Sequence, residues 1–96
     1  MSVYAVAVIN IHDRDPYQRY EEGFMDIFAK YQGTLLAVDE APTVLEGEWP
    51  WTRTVLLEFP DENSLHAWYD SEEYQALAQH RFAGSQASIA MVKGLE

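Results

Sequence analysis

Residues 3–11 read VYAVAVINI, nine in a row without a formal charge. A strand that must be half solvated alternates apolar with polar residues; this one is almost wholly apolar and expects cover on both faces. His12-Asp13-Arg14 ends it. Asp15-Pro16 then reads as a helix start, with Asp15 as N-cap and proline at the first helical position. Tyr17, Tyr20, Phe24, Ile27, Phe28 and Tyr31 follow at three- and four-residue steps. They mark one face of a helix over about 16–31. Gly33 is placed to be its left-handed C-terminal cap.

Thr34 to Val38 reads as a second strand. After Asp39-Glu40-Ala41-Pro42, the triplet Thr43-Val44-Leu45 extends the same ladder across a bulge. Gly47 through Pro50 is a turn, and Thr52 to Phe59 is a third strand rich in β-branched and apolar residues. Asp61 caps a helix to about Tyr69, with Leu65, Trp68 and Tyr69 inward. Ser71-Glu72-Glu73 restarts it, the glutamates complementing the positive end of the helix dipole. Tyr74, Leu77 and Ala78 face inward. Gly84 marks a break, and Ala87 to Val92 is the last strand.

The order β-α-β-β-α-β closes as an α+β, ferredoxin-like unit: a four-stranded antiparallel sheet with its helices on one face. Residues 1–96 form one domain. Helices on one side leave the other sheet face to water or to another subunit. The first and third strands are apolar on both faces, so a second copy is the expected cover, giving a homodimeric α+β barrel. A hydrophobic fraction of 48% agrees with that.

Six Lys+Arg stand against 16 Asp+Glu, a formal charge of −10. Nucleic acid and anionic membrane surfaces would be repelled. Without cysteine there is no disulfide, thiolate nucleophile or Cys-based metal centre. The N-terminal segment lacks a basic n-region and no stretch reaches transmembrane length, so the cytoplasm is the expected location. His12, His66 and His80 show no paired metal-binding spacing, and no glycine-rich phosphate loop is present. No metal and no cofactor is expected.

Arg53 opens the third strand. Alternation puts Arg53, Val55, Leu57 and Phe59 on one face and Thr54, Leu56 and Glu58 on the other. Arg53 can hold a carboxylate or enol oxygen with its planar fork, or pair with one of the many acids. Glu58 can act as an acid or base if buried, or pair with Arg53, Arg81 or Lys93. His12, at the end of the first strand, can move a proton near neutral pH or be a solvated turn residue. Trp68, Tyr69, Tyr74 and Tyr20 offer apolar walls and a few hydroxyls, or are plain core. Arg81 binds substrate or contacts the helix C-terminus.

The blocks Leu45-Glu46-Gly47-x-Trp49-Pro50, Arg53, Val55-Leu56-Leu57-Glu58-Phe59-Pro60, Ala67-Trp68-Tyr69-x-Ser71-x-x-Tyr74 and Arg81 resemble the DUF1330 proteins over essentially the whole chain. The resemblance implies a ferredoxin-like subunit that pairs into a dimeric α+β barrel, and it implies little about activity, because the family's name records an unknown function. Trp51 departs from the family pattern, where a small or imino residue is usual. It is a further candidate for covering a cavity mouth or a partner. Kinship of fold with haem-degrading enzymes can be tested on residues. Asn10 and Trp68 invite the comparison, but ten residues after Trp68 stands Ala78, which cannot ligate iron. His80 lies about 200° further around a helix. The functional expectation is an apolar cleft for cofactor-free oxidation or isomerisation of a small aromatic or oxo compound. Its alternative is a non-catalytic dimeric module that binds a small ligand or a protein.

Overall fold

The computed structural model describes residues 1–95. It contains β1 (Val3–Ile11), α1 (Arg14–Phe28) with a 3-10 turn (Ala29–Tyr31), β2 (Thr34–Asp39), β3 (Arg53–Phe59), α2 (Glu62–Tyr69), α3 (Glu72–Gly84) and β4 (Ser85–Lys93). One antiparallel sheet has the order β2-β3-β1-β4, so the two most apolar strands are central. This is the expected ferredoxin-like α+β arrangement, with the second helical region broken at Asp70-Ser71.

Burial along β1 alternates strictly at its start. Val3, Ala5, Ala7 and Ile9 are buried under the helices, while Tyr4, Val6 and Val8 are only half-buried. Leu57 and Phe59 of β3 join the first set. Phe59, Trp68, Phe28 and Phe24 interlock as an aromatic core, with ring centroids 5.1–6.1 Å apart. Such edge and offset pairs add about 0.5–1.5 kcal/mol each beyond the area they bury. The opposite sheet face carries Tyr4, Val6 and Val8, flanked in register by Leu56, Ala90 and Val92. No described residue of the same chain packs over them.

Several local expectations shift. The N-cap of α1 is Asp13, whose Oδ1 accepts from the Asp15 amide at 3.2 Å. Pro16 thus falls third in the helix. That is tolerated because the first-turn amides have no intrahelical acceptor to lose. The left-handed residue after α1 is Gln32, φ 65°, not Gly33. Gly33 is needed for space: a Cβ there would collide with Phe28 Cζ and lie 2.9 Å from Phe59 Cε1. Thr43-Val44-Leu45 forms no strand. β2 stops at Asp39 opposite Thr54, the bulge lies between Leu35 and Ala37, and Leu45 is exposed. Pro42 and Pro50 remove the amides that a longer ladder would use.

Asp61 and Ser71 cap α2 and α3 as expected, their side chains accepting from the amides of Ser64 and Tyr74. α3 ends at Gly84, whose carbonyl accepts from the His12 and Asp13 amides at 2.9 and 3.1 Å. The end of β1, the start of α1 and the end of α3 are thereby tied together.

Candidate functional site

Ala5 and Ala7 place almost no bulk on the helix side of the central strand. The aromatic side chains above them span the gap without filling it. A cavity of about 200 Å³ results. Its floor is Ala5, Ala7 and Ile9 of β1 with Val55 and Leu57 of β3, and its roof is Tyr17, Tyr20, Trp68, Tyr74 and Arg81. Leu35 and Val38 of β2, 40% and 41% exposed, and Met25 of α1, 48% exposed, also line it. The helices do not cover β2, and the cavity opens on that side.

The roof is built by periodicity. Tyr17 and Tyr20 of α1, and Tyr74, Ala78 and Arg81 of α3, fall on the buried faces of two helices that pack together. The Tyr20 and Tyr74 hydroxyls are hydrogen-bonded at 2.7 Å. Burial pushes the Tyr20 hydroxyl well above its ordinary pKa, reinforced by Tyr74. Burial also raises Tyr74, against the pull of Arg81. Both therefore remain neutral donors near neutral pH. The Trp68 ring lies 4.4 Å from the Tyr74 ring, centre to centre.

The two arginines differ in their company. Arg53 sits at the mouth. Its Nη1 lies 2.9 Å from Glu40 Oε2 and 3.2 Å from Glu21 Oε2, and its guanidinium lies over the Tyr17 ring at 5.5 Å. Glu40 is also held by Arg14 in two hydrogen bonds of 3.0 and 3.2 Å. The Arg14 and Arg53 hydrogen bonds hold the Glu40 carboxyl below its usual pKa. Arg81 is 4% exposed. Among the described residues it has no carboxylate partner within ion-pair distance. Its guanidinium lies 5.8 Å from the Tyr20 ring and 4.8 Å from the Phe82 ring. Burial works against its charge, but Tyr74 and Tyr20 outweigh it, and the Arg81 pKa stays above its ordinary value.

Three buried side-chain nitrogens have no hydrogen-bond partner among the described residues: Arg53 Nε, Trp68 Nε1 and Arg81 Nε. All three belong to residues that line the cavity. All three are obligate donors.

Of the residues singled out from the sequence, the fold gathers Arg53, Arg81, Trp68, Tyr74 and Tyr20 around this cavity. Tyr69 packs on Trp68 and Tyr74 from outside the lining. Trp51 is half-buried before β3 and does not line it. Glu58 projects from the opposite sheet face, between Tyr4 and Thr34 in register. His12 is exposed in the turn after β1. Neither Glu58 nor His12 reaches the space that Arg53 and Arg81 share. Glu21 and Glu40 supply what sequence reasoning missed as site residues. Glu21 follows Tyr20 on α1, four residues from Tyr17, and that spacing was the available signal. Glu40 lies just beyond a strand end and carried none. No group of three metal-ligating side chains occurs among the described residues.

A family described as a domain of unknown function, DUF1330, matches residues 2–95. The chain belongs to the DUF1330 family. No curated protein matches it. Among solved structures, a protein of unknown function from Rhodopseudomonas palustris superposes with a TM-score of 0.83 at 14% identity, covering 99% of this chain and 83% of the other. A dimeric ferredoxin-like protein of unknown function from Jannaschia sp. CCS1 gives 0.72 at 14% identity, covering 98% and 100%. SnoaB, a cofactor-independent oxygenase from Streptomyces nogalater, gives 0.64 at 16% identity, covering 99% and 94%. At these identities the likeness is one of fold. No helix among the described residues is long and apolar enough to cross a membrane.

Proposed function

We propose that this DUF1330 protein binds a small, largely apolar molecule bearing hydrogen-bond acceptors in the cavity between its helices and sheet. The observation that carries this reading is the set of unpartnered donors on Arg53, Trp68 and Arg81, each from a residue lining one apolar space. A buried donor left unpaired costs about 1–3 kcal/mol, and an incoming acceptor recovers it. The volume of about 200 Å³ falls below the roughly 300–1,000 Å³ of drug-sized sites, so the ligand is the size of one or two rings. Ala7→Leu fills the floor. It is expected to abolish binding of small aromatic acceptor compounds in calorimetry while far-UV circular dichroism stays unchanged. Undiminished binding by a folded Ala7→Leu variant would count against the cavity.

A second reading adds chemistry without a cofactor. Glu21, a carboxylate that lines the same space, favours it. Glu21 would accept a proton from an activated carbon, and the arginines would hold the resulting oxyanion. The fold shared with SnoaB supports the reading as analogy. Product formation from an oxo-aromatic compound by the wild type, lost in Glu21→Gln, tests it. Turnover that persists in Glu21→Gln would remove Glu21 from that role.

Two chains would pair through the open sheet face bearing Tyr4, Val6, Val8 and Leu56, as the dimeric neighbours suggest.

A further inference from the structure

We infer that the ligand of this cavity is an anion, a carboxylate or an enolate or phenolate oxygen on a small aromatic or short apolar body, and that its charge rests on Arg81 rather than on Arg53. The inference rests on the cavity being a ligand site and names what that site selects.

The two guanidiniums line one space but differ in charge balance. Arg53 is already matched by Glu21 and Glu40, and with Arg14 these form a neutral set of two cations and two carboxylates. An anion at Arg53 would find Nε without a partner, but it would bring a third negative charge beside Glu21 and Glu40. Arg81 carries the same charge, buried more deeply, and has no carboxylate within ion-pair distance among the described residues. A buried charge is retained at large cost unless it is paired. Near neutral pH the Tyr20 and Tyr74 hydroxyls are neutral, so they offer Arg81 hydroxyls and ring faces but no counter-charge. The missing element is a negative charge, and the cavity is where it can enter.

The neighbouring groups suit an oxyanion. A guanidinium fork takes a carboxylate in two parallel hydrogen bonds, and Arg81 Nε has no partner. Within the Tyr20–Tyr74 pair one hydroxyl donates to the other at 2.7 Å, so the accepting hydroxyl keeps its own proton for a ligand oxygen. Trp68 Nε1 is another unpartnered donor of the lining. The apolar floor takes the body of the molecule. With a net charge of −10 the surface repels anions at long range, so any preference for an anion reports the local field at Arg81.

Cinnamate and cinnamamide test this, being close in shape and differing in charge. Titration calorimetry is expected to show wild-type protein binding cinnamate about tenfold or more tighter than cinnamamide. Arg81→Met is expected to abolish that preference while cinnamamide still binds, and Arg81→Lys is expected to retain part of it. In wild-type protein the NMR resonance of the Arg81 Nε–H is expected to shift on adding cinnamate more than on adding cinnamamide, a readout independent of how the variants fold. Equal wild-type affinities for the two compounds would overturn the inference and leave the cavity site standing. A preference that survives Arg81→Met and disappears in Arg53→Met would overturn it in favour of the mouth. Binding of neither compound would sink both the inference and the cavity reading.

Discussion

The Tyr20 and Tyr74 hydroxyls, 54 residues apart in sequence, meet at 2.7 Å inside the α1–α3 interface. Each is the other's partner in a nearly dry environment. Removing one hydroxyl leaves a polar group buried without its mate, which costs about 1–3 kcal/mol. Tyr20→Phe and Tyr74→Phe are each expected to lower stability by an amount in that range, read from urea midpoints. The double variant replaces both partners with apolar groups of the same shape. It is expected to be less destabilised than the sum of the singles, with a coupling of about 1 kcal/mol. Additive effects would show that the two hydroxyls do not depend on each other.

The same pair sets an alkaline limit. Burial, then Tyr74, raises the Tyr20 pKa well above the ordinary 10.0, and burial raises Tyr74. Below the ordinary tyrosine pKa the stability from these neutral hydroxyls is fully present. As pH rises past it, the unfolded chain loses the protons first, so stability falls until the higher folded pKa is passed. The urea midpoint of the wild type is therefore expected to drop above pH 10 more steeply than that of the Tyr20→Phe/Tyr74→Phe variant. Parallel profiles would argue against a raised folded pKa.

An acid-side effect follows from Glu40. The Arg14 and Arg53 hydrogen bonds hold its carboxyl below the ordinary 4.5. Its contribution is present above that value and is lost as pH falls through the lower folded pKa. The group is exposed, so the effect on stability is small. The clearer readout is local. The Glu40 side-chain carboxyl carbon is expected to titrate below the range of the exposed glutamates in NMR, and Arg53→Gln is expected to move it back upward. A Glu40 titration unchanged by Arg53→Gln would show that Arg14 alone holds it.

How much of this the sequence revealed differs by scale. Strand order and helix faces were legible because periods of 2 and 3.6 residues survive in the apolar pattern. Alternation alone separated Glu58 from Arg53. Boundaries were less legible where two residues compete for one role. Asp13 and Asp15 both suit an N-cap, and the chain selects the earlier one. Gln32 and Gly33 both follow the helix, and the bulkier residue takes the left-handed position because Phe28 and Phe59 leave room only for glycine next to it. The site was partly legible. Spacing puts Tyr74, Ala78 and Arg81 on one helical stripe, but no local pattern shows that Arg81 lacks an acid while Arg53 has two. That depends on Glu40 and Glu21, which are brought near Arg53 only by the fold.

The Gln32–Gly33 exchange of roles gives opposite signs for two conservative changes. Gln32 at φ 65° bears the left-handed penalty of about 1–2 kcal/mol. Gln32→Gly relieves it and loosens the unfolded chain, so a net gain of up to about 1 kcal/mol is expected. Gly33→Ala drives a methyl into the Phe28 ring. Overpacking of that kind costs about 1–3 kcal/mol. Thermal unfolding is expected to move up for the first and down for the second. A stabilised Gly33→Ala would show that the ring can give way.

The open sheet face yields the remaining test. Leu56 lies at its centre, paired with Val6 on one side and Ala37 on the other. No described residue of the same chain packs over it, and placing a charge there costs a lone chain little. In a face-to-face pair the same charge would be buried against apolar side chains, which is expensive. Leu56→Glu is therefore expected to convert a dimer to a monomer in sedimentation while circular dichroism still reports a folded protein. The melting temperature of the wild type is expected to rise with protein concentration, and that of Leu56→Glu is not. A dimer that persists in Leu56→Glu would place the contact elsewhere, and a wild type that sediments as a stable monomer at dilution would leave this face to another partner.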